Sequence, residues 1–161
     1  YASTKACGSL LTQEYAKYCT TVVVRPFSIY GEEEDDRKFI PTALRCLANG
    51  QPLSLRRGTH DWIYIDDFCR AMVTIVRHAK KLNGDLINVG TGIATSNTQV
   101  IKLLQTITGR KAKIISKPPK AQDSPLWVAN NKKLLRLGWK PQVSLREGLK
   151  KVYEAKNSRT A

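Results

Sequence analysis

Short β-branched runs alternate with stretches of helical periodicity along this chain of 161 residues, and that alternation constrains the fold more than any other feature. Thr20 to Arg25 is a β-branched run stopped by Pro26, and it reads as a buried strand. Leu86 to Val89 is a second such run, while Leu53 to Leu55, Asp61 to Ile65 and Lys113 to Ile115 are further strand candidates. Between them, helical spacing appears over Ser3 to Tyr18, Phe39 to Ala48, Thr98 to Thr108 and Asn130 to Leu137. Another helix runs from Asp66 or Asp67, as its cap, to about His78. Local signals set further boundaries: Pro41 in a first turn, Asn49-Gly50 and Gly109 as stops, and Ser96 or Asn97 as a cap. Ser144 starts a last helix, with Glu147 completing a capping box, and residues 117–125 form a Pro-containing loop. Alternating helices and strands give an α/β class.

Composition narrows the setting. No apolar run approaches the roughly 20 residues that cross a bilayer, and no signal peptide is visible, so a membrane role is not expected. Cys7, Cys19, Cys46 and Cys69 are scattered without a CxxC pair. That pattern suits reduced, buried thiols in a cytoplasmic protein and gives no zinc or other metal site. The acidic run Glu32 to Asp36 lacks ligand spacing and reads as a solvated loop. The net charge of +14 is uneven: from Val100 onward there are 15 Lys/Arg against 3 Asp/Glu. Such a half attracts anions, but no nucleic-acid motif accompanies the charge, so it reads mainly as a solvated basic face.

Chemistry is suggested first by Tyr1-Ala2-Ser3-Thr4-Lys5. A Tyr and a Lys four apart lie one above the other on a helix, and a cation beside a phenol favours the phenolate. A phenolate is a good general base for a sugar or alcohol hydroxyl. The same spacing also arises as an ordinary surface pair. Gly90-Thr91-Gly92 suggests a phosphate loop, but it follows a late strand without GxGxxG spacing, so a plain turn is the better reading.

Taken in order, the segments resemble the extended short-chain dehydrogenase/reductase family, the NAD-dependent epimerases and dehydratases of nucleotide sugars. Tyr1-x-x-x-Lys5 matches the family's catalytic pair, and Arg25-Pro26-Phe27-Ser28-Ile29-Tyr30-Gly31 is similar to its Arg-x-x-Asn-Val-Tyr-Gly segment. His60-Asp61-Trp62-Ile63-Tyr64-Ile65-Asp66-Asp67, Asn88-Val89-Gly90-Thr91-Gly92 and Leu137-Gly138-Trp139-Lys140-Pro141 resemble three later motifs. The resemblance is to the C-terminal part of the family. It implies a truncated Rossmann-like element over residues 1–31 and, over 32–161, mainly a small α/β substrate-binding domain.

The resemblance further implies Tyr1 and Lys5 as catalysts, with Tyr1, Lys5, Pro26 and Ser28 beside an NAD cofactor. It places Ser28, Tyr30, His60 and Trp127 along a nucleotide-sugar cleft. Ser28 stands where the family has Asn, His60 where it has a diphosphate-binding Arg, and Trp127 near where many members have a second Arg. Epimerase, dehydratase and reductase chemistry all stay open, as does a binding or assembly module without catalysis. His60 also reads as an ordinary loop histidine, and Asp66 and Asp67 as structural groups. The family's glycine-rich dinucleotide turn is absent from the sequence, so the chain alone is expected to be inactive. The first helix and the Thr21–Arg25 strand are expected to expose apolar surface, and hence to form a homodimer or larger assembly.

Overall fold

The computed structural model describes residues 1–118 and 126–158. Helix α1 (Ala2–Glu14) continues through a 3-10 turn at Tyr15–Lys17 and leads to β1 (Val23–Pro26) and β2 (Ser28–Tyr30). After the acidic loop comes α2 (Phe39–Asn49), which stops at Gly50 in the left-handed conformation that glycine adopts without steric cost. Strands β3 (Leu53–Arg56), β4 (Thr59–His60) and β5 (Trp62–Tyr64) precede α3 (Ile65–Arg77). Strands β6 (Leu86–Val89) and β7 (Thr95–Ser96) precede α4 (Asn97–Thr108). Then come β8 (Ile114–Lys117), β9 (Leu126–Trp127), α5 (Lys132–Leu135) and α6 (Leu145–Ser158).

The strands pair mostly in parallel, as α/β crossovers require. β1 lies beside β6, β2 beside β5, and β3 beside β8. β4 takes β7 antiparallel on one edge and β9 parallel on the other. The β2–β5 pair is a wall between two cores, because strand side chains alternate faces. Tyr30 and Tyr64 turn into one core, with Ile40, Leu47, Leu104 and Leu149. Ile29 and Ile63 turn into the other, with Ile75, Ile87, Leu134 and Trp139. β1 and β6 close that second core, so residues before and after position 31 share it.

Several expectations change. The strand after the first helix begins later and includes Pro26, and only Val23 in it is buried. β2 is a strand that the sequence signal did not show, since three residues carry too little pattern and its support comes from β5. Of the run Asp61 to Ile65 only Trp62–Tyr64 is strand: Asp61 separates it from β4, and Ile65 is already helical. Neither Asp66 nor Asp67 caps α3; Tyr64 is the cap residue and both acids lie in the first turn. Ser96 caps α4 in a full capping box with Gln99, and Ser144 Oγ accepts from the Glu147 amide at 3.2 Å. All four cysteines are free, but only Cys46 is buried, so the expectation of buried thiols fails for Cys7, Cys19 and Cys69. Residues 119–125 of the expected loop lie outside the described residues.

Among the described residues, no helix is long and apolar enough to cross a membrane, and no cluster of His, Cys, Asp and Glu could hold a metal ion.

Candidate functional site

Asp61 sits between β4 and β5 and is fully buried. A buried carboxylate is costly unless its oxygens are hydrogen-bonded, and here every donor is in place. Oδ1 accepts from the Thr91 amide at 2.7 Å and from the Thr91 hydroxyl at 2.6 Å. Oδ2 accepts from the Gly92 amide at 2.8 Å and the Ala129 amide at 3.2 Å. Main-chain bonds extend the junction, with Ser28 N donating to Asp61 O at 3.0 Å and Asp61 N to Trp127 O at 2.9 Å.

This junction explains the glycine turn. Its amides wrap a carboxylate of the chain itself, so they are not free to cradle a phosphate. A Cβ on Gly90 would lie 2.5 Å from Asp61 Oδ2 and 2.7 Å from Ala129 Cβ, so the turn closes only around glycine. Asn131 adds a bond from Nδ2 to the Gly90 carbonyl at 2.9 Å.

Three of the residues singled out from the sequence come together around Asp61. Ser28 opens β2 and pairs in register with Trp62. His60 ends β4 and faces Trp127 across the β4–β9 pair. The Trp127 ring lies 6.2 Å from Phe27, which joins β9 to the segment between Pro26 and Ser28. Around them runs an aromatic row that the sequence reading missed. Trp62 lies 5.5 Å from His60 and stacks on Phe39 at 5.7 Å and 28°. Trp62 was in view as part of the Asp-Trp-Ile motif, but Phe39 lies 23 positions earlier and only the fold unites them.

Tyr30 is placed elsewhere. It is 1% exposed, its hydroxyl donates to the Leu145 carbonyl at 3.4 Å, and α6 crosses it so closely that Gly148 leaves no room for a side chain. Tyr1 and Lys5 form one turn at the start of α1, with Lys5 Nζ 5.6 Å from the Tyr1 ring centre and Lys5 N donating to Tyr1 O at 3.0 Å. Tyr1 is 93% exposed, and α1 buries none of its side chains.

The acidic loop is more structured than its composition suggested. Glu32 hydrogen-bonds the Tyr64 hydroxyl, and Tyr64 is held above its ordinary pKa by burial and by that carboxylate. Burial pushes Glu34 up to about 7, and its Oε2 is buried without a hydrogen-bond partner among the described residues. Asp35 goes the other way, down to about 2, because the Arg37 guanidinium and amide bond its carboxylate. Lys156 of α6 pairs with Asp36 at 2.6 Å and lowers its pKa, tethering the loop to the last helix.

The profile of the NAD dependent epimerase/dehydratase family matches residues 1–90. The chain belongs to this family. It is 28% identical over 155 residues to the low-salt glycan biosynthesis protein Agl12 of Haloferax volcanii, covering 92% of this chain and 49% of that protein. It is likewise 28% identical to the human dTDP-D-glucose 4,6-dehydratase, covering 96% of this chain and 47% of the enzyme. The UDP-glucuronic acid 4-epimerase of Bacillus cereus, solved with UDP-glucuronic acid and NAD, superposes with a TM-score of 0.89 at 26% identity. That match covers 98% of this chain and 52% of the epimerase. The chain therefore has the epimerase/dehydratase α/β fold and spans about half the length of the curated relatives it matches.

Proposed function

We propose that this chain carries the catalytic Tyr/Lys pair and the nucleotide-sugar cleft of an NAD-dependent epimerase/dehydratase, and that by itself it does not turn substrate over. The observation that carries the reading is the junction at Asp61, where Ser28, His60 and Trp127 converge beside the Trp62–Phe39 row. Aromatic faces suit a nucleobase or sugar ring, and His60 offers a donor to the diphosphate. In this reading Ser28 Oγ orients the sugar and the Tyr1 phenolate takes a proton from a sugar hydroxyl. Lys5, one turn away, stabilises that phenolate electrostatically. NAD, when bound, supplies the hydride acceptor.

The residues present fit only part of that cofactor. Tyr1, Lys5, Pro26 and Ser28 are the types that flank a nicotinamide and its ribose. The Gly90-Thr91-Gly92 turn, which the sequence offered as a phosphate loop, is taken by the Asp61 carboxylate. Hence the reading of a chain inactive alone; residues 1–31 read as a Rossmann-type remnant and 32–161 as mainly substrate-binding, with β6 paired to β1 across that boundary. The exposed surface of α1, and the edge of β1 that pairs with no strand among the described residues, support a homodimer or larger assembly.

The test mixes the chain with NAD and either UDP-glucuronic acid or dTDP-D-glucose and follows the sugar by chromatography. No product is expected from the chain alone. A clear rate would overturn the proposed inactivity.

A further inference from the structure

We propose that a second ligand site, between α4 and the β3–β8 pair, binds a small organic anion with an apolar body. The β3–β8 register puts Leu53 and Leu55 on one face with Ile114 and Ser116, and Ser54 and Arg56 on the other. Leu53 and Leu55 are buried while Ser54 and Arg56 are exposed, so the first face is the one turned to the core and α4. Between α4 and this face lies a pocket of about 310 Å³. Leu55, Ile101 and Ile114 supply its apolar lining, and Arg57 and Lys102 are the cations that line it.

Two features define the ligand. Neither Arg57 nor Lys102 has a carboxylate partner among the described residues, whereas Arg70, Lys133 and Lys156 each do. Two cations at one pocket, without a carboxylate partner among the described residues, favour an anionic head, and Thr98 and Ser116 add hydroxyl donors to the lining. The apolar lining asks for an apolar group behind that head, because Ile114, which lines the pocket, is left 39% exposed. A carboxylate or phosphate monoester on an aromatic or short aliphatic body meets both demands. None of Ser28, His60 or Trp127 lines this pocket, so its occupant does not compete with a ligand at the junction.

The site reaches the junction through two bonds. Asn97, the first residue of α4, donates from Nδ2 to the Arg56 carbonyl at 3.1 Å, and its amide donates to Gly58 O at 3.0 Å. Both acceptors lie on the segment that leads into His60.

The test is an amide NMR titration of the full chain with phenyl phosphate, at low salt, with benzyl alcohol as the uncharged control. Saturable shifts are expected at Leu55, Arg57, Ile101, Lys102 and Ile114. Arg57→Gln with Lys102→Gln should weaken binding about tenfold or more, since both charge-assisted contacts are lost. Benzyl alcohol should bind at least about tenfold more weakly for the same reason. Both replaced side chains are exposed, so the variant keeps the parent's spectrum elsewhere. Shifts confined to residues around Ser28, His60 and Trp127, shifts scattered over all surface cations, or binding unchanged in the double variant would each overturn the proposal.

Discussion

Asp61 holds Thr91 twice, accepting from its amide at 2.7 Å and from its hydroxyl at 2.6 Å with the same carboxylate oxygen. The pair lies 30 positions apart in sequence, and it fixes the turn after β6 against the junction between β4 and β5. Asp61→Ala takes the shared acceptor from the part-buried donors of Thr91 and Gly92 and from the buried Ala129 amide. The expected loss is about 3 kcal/mol of unfolding free energy, read by urea denaturation. A loss below about 1 kcal/mol would show that the junction does not depend on this carboxylate.

Gly90→Ala tests the same junction from the other side. The new methyl group would meet both Asp61 Oδ2 and Ala129 Cβ, and neither is the far end of a flexible chain. Overpacking of this kind costs about 1–3 kcal/mol. Gly50→Ala is the control, since open space surrounds Gly50 and only its left-handed backbone is penalised. Denaturant midpoints should fall further for Gly90→Ala than for Gly50→Ala.

What the sequence revealed and what it hid follows from the range of the interactions. The ends of α2 and α4 were legible because Gly50, Ser96 and Gly109 act on their own neighbours. β2 and β4 were not, because two or three residues carry no period and their support comes from strands far along the chain. Ser28, His60 and Trp127 were found through the family motifs, but Asp61 as their centre was hidden. Its partners lie 30, 31 and 68 positions away. Tyr30 carries the same motif, and only the alternation of faces in β2 shows that it points into the core.

The acidic loop predicts a pH dependence. Glu34 rises from its ordinary value of 4.5 to about 7 on folding because burial disfavours the carboxylate. The folded state therefore binds the extra proton, so the associated stability is fully present below about 4.5 and is lost as pH rises through about 7. The melting temperature should fall across that window, and Glu34→Gln should flatten the fall. Equal slopes in parent and variant would refute the assignment. Asp35 and Asp36 act oppositely and at lower pH, since both are held down by their cationic partners.

Leu10 and Leu11 are 66% and 61% exposed on a helix that buries nothing. Light scattering at micromolar concentration should give a dimer or larger species, and Leu10→Lys with Leu11→Lys should give a monomer. A monodisperse monomer of the parent chain would contradict the assembly.

The most direct test of the central claim is calorimetric titration of the chain with UDP-glucuronic acid and with dTDP-D-glucose, repeated with His60→Ala and Trp127→Ala. Saturable binding of at least one nucleotide sugar, weakened about tenfold or more by either substitution, is the predicted result. No binding of either at millimolar concentration, or binding indifferent to both substitutions, would contradict a nucleotide-sugar cleft at the Asp61 junction.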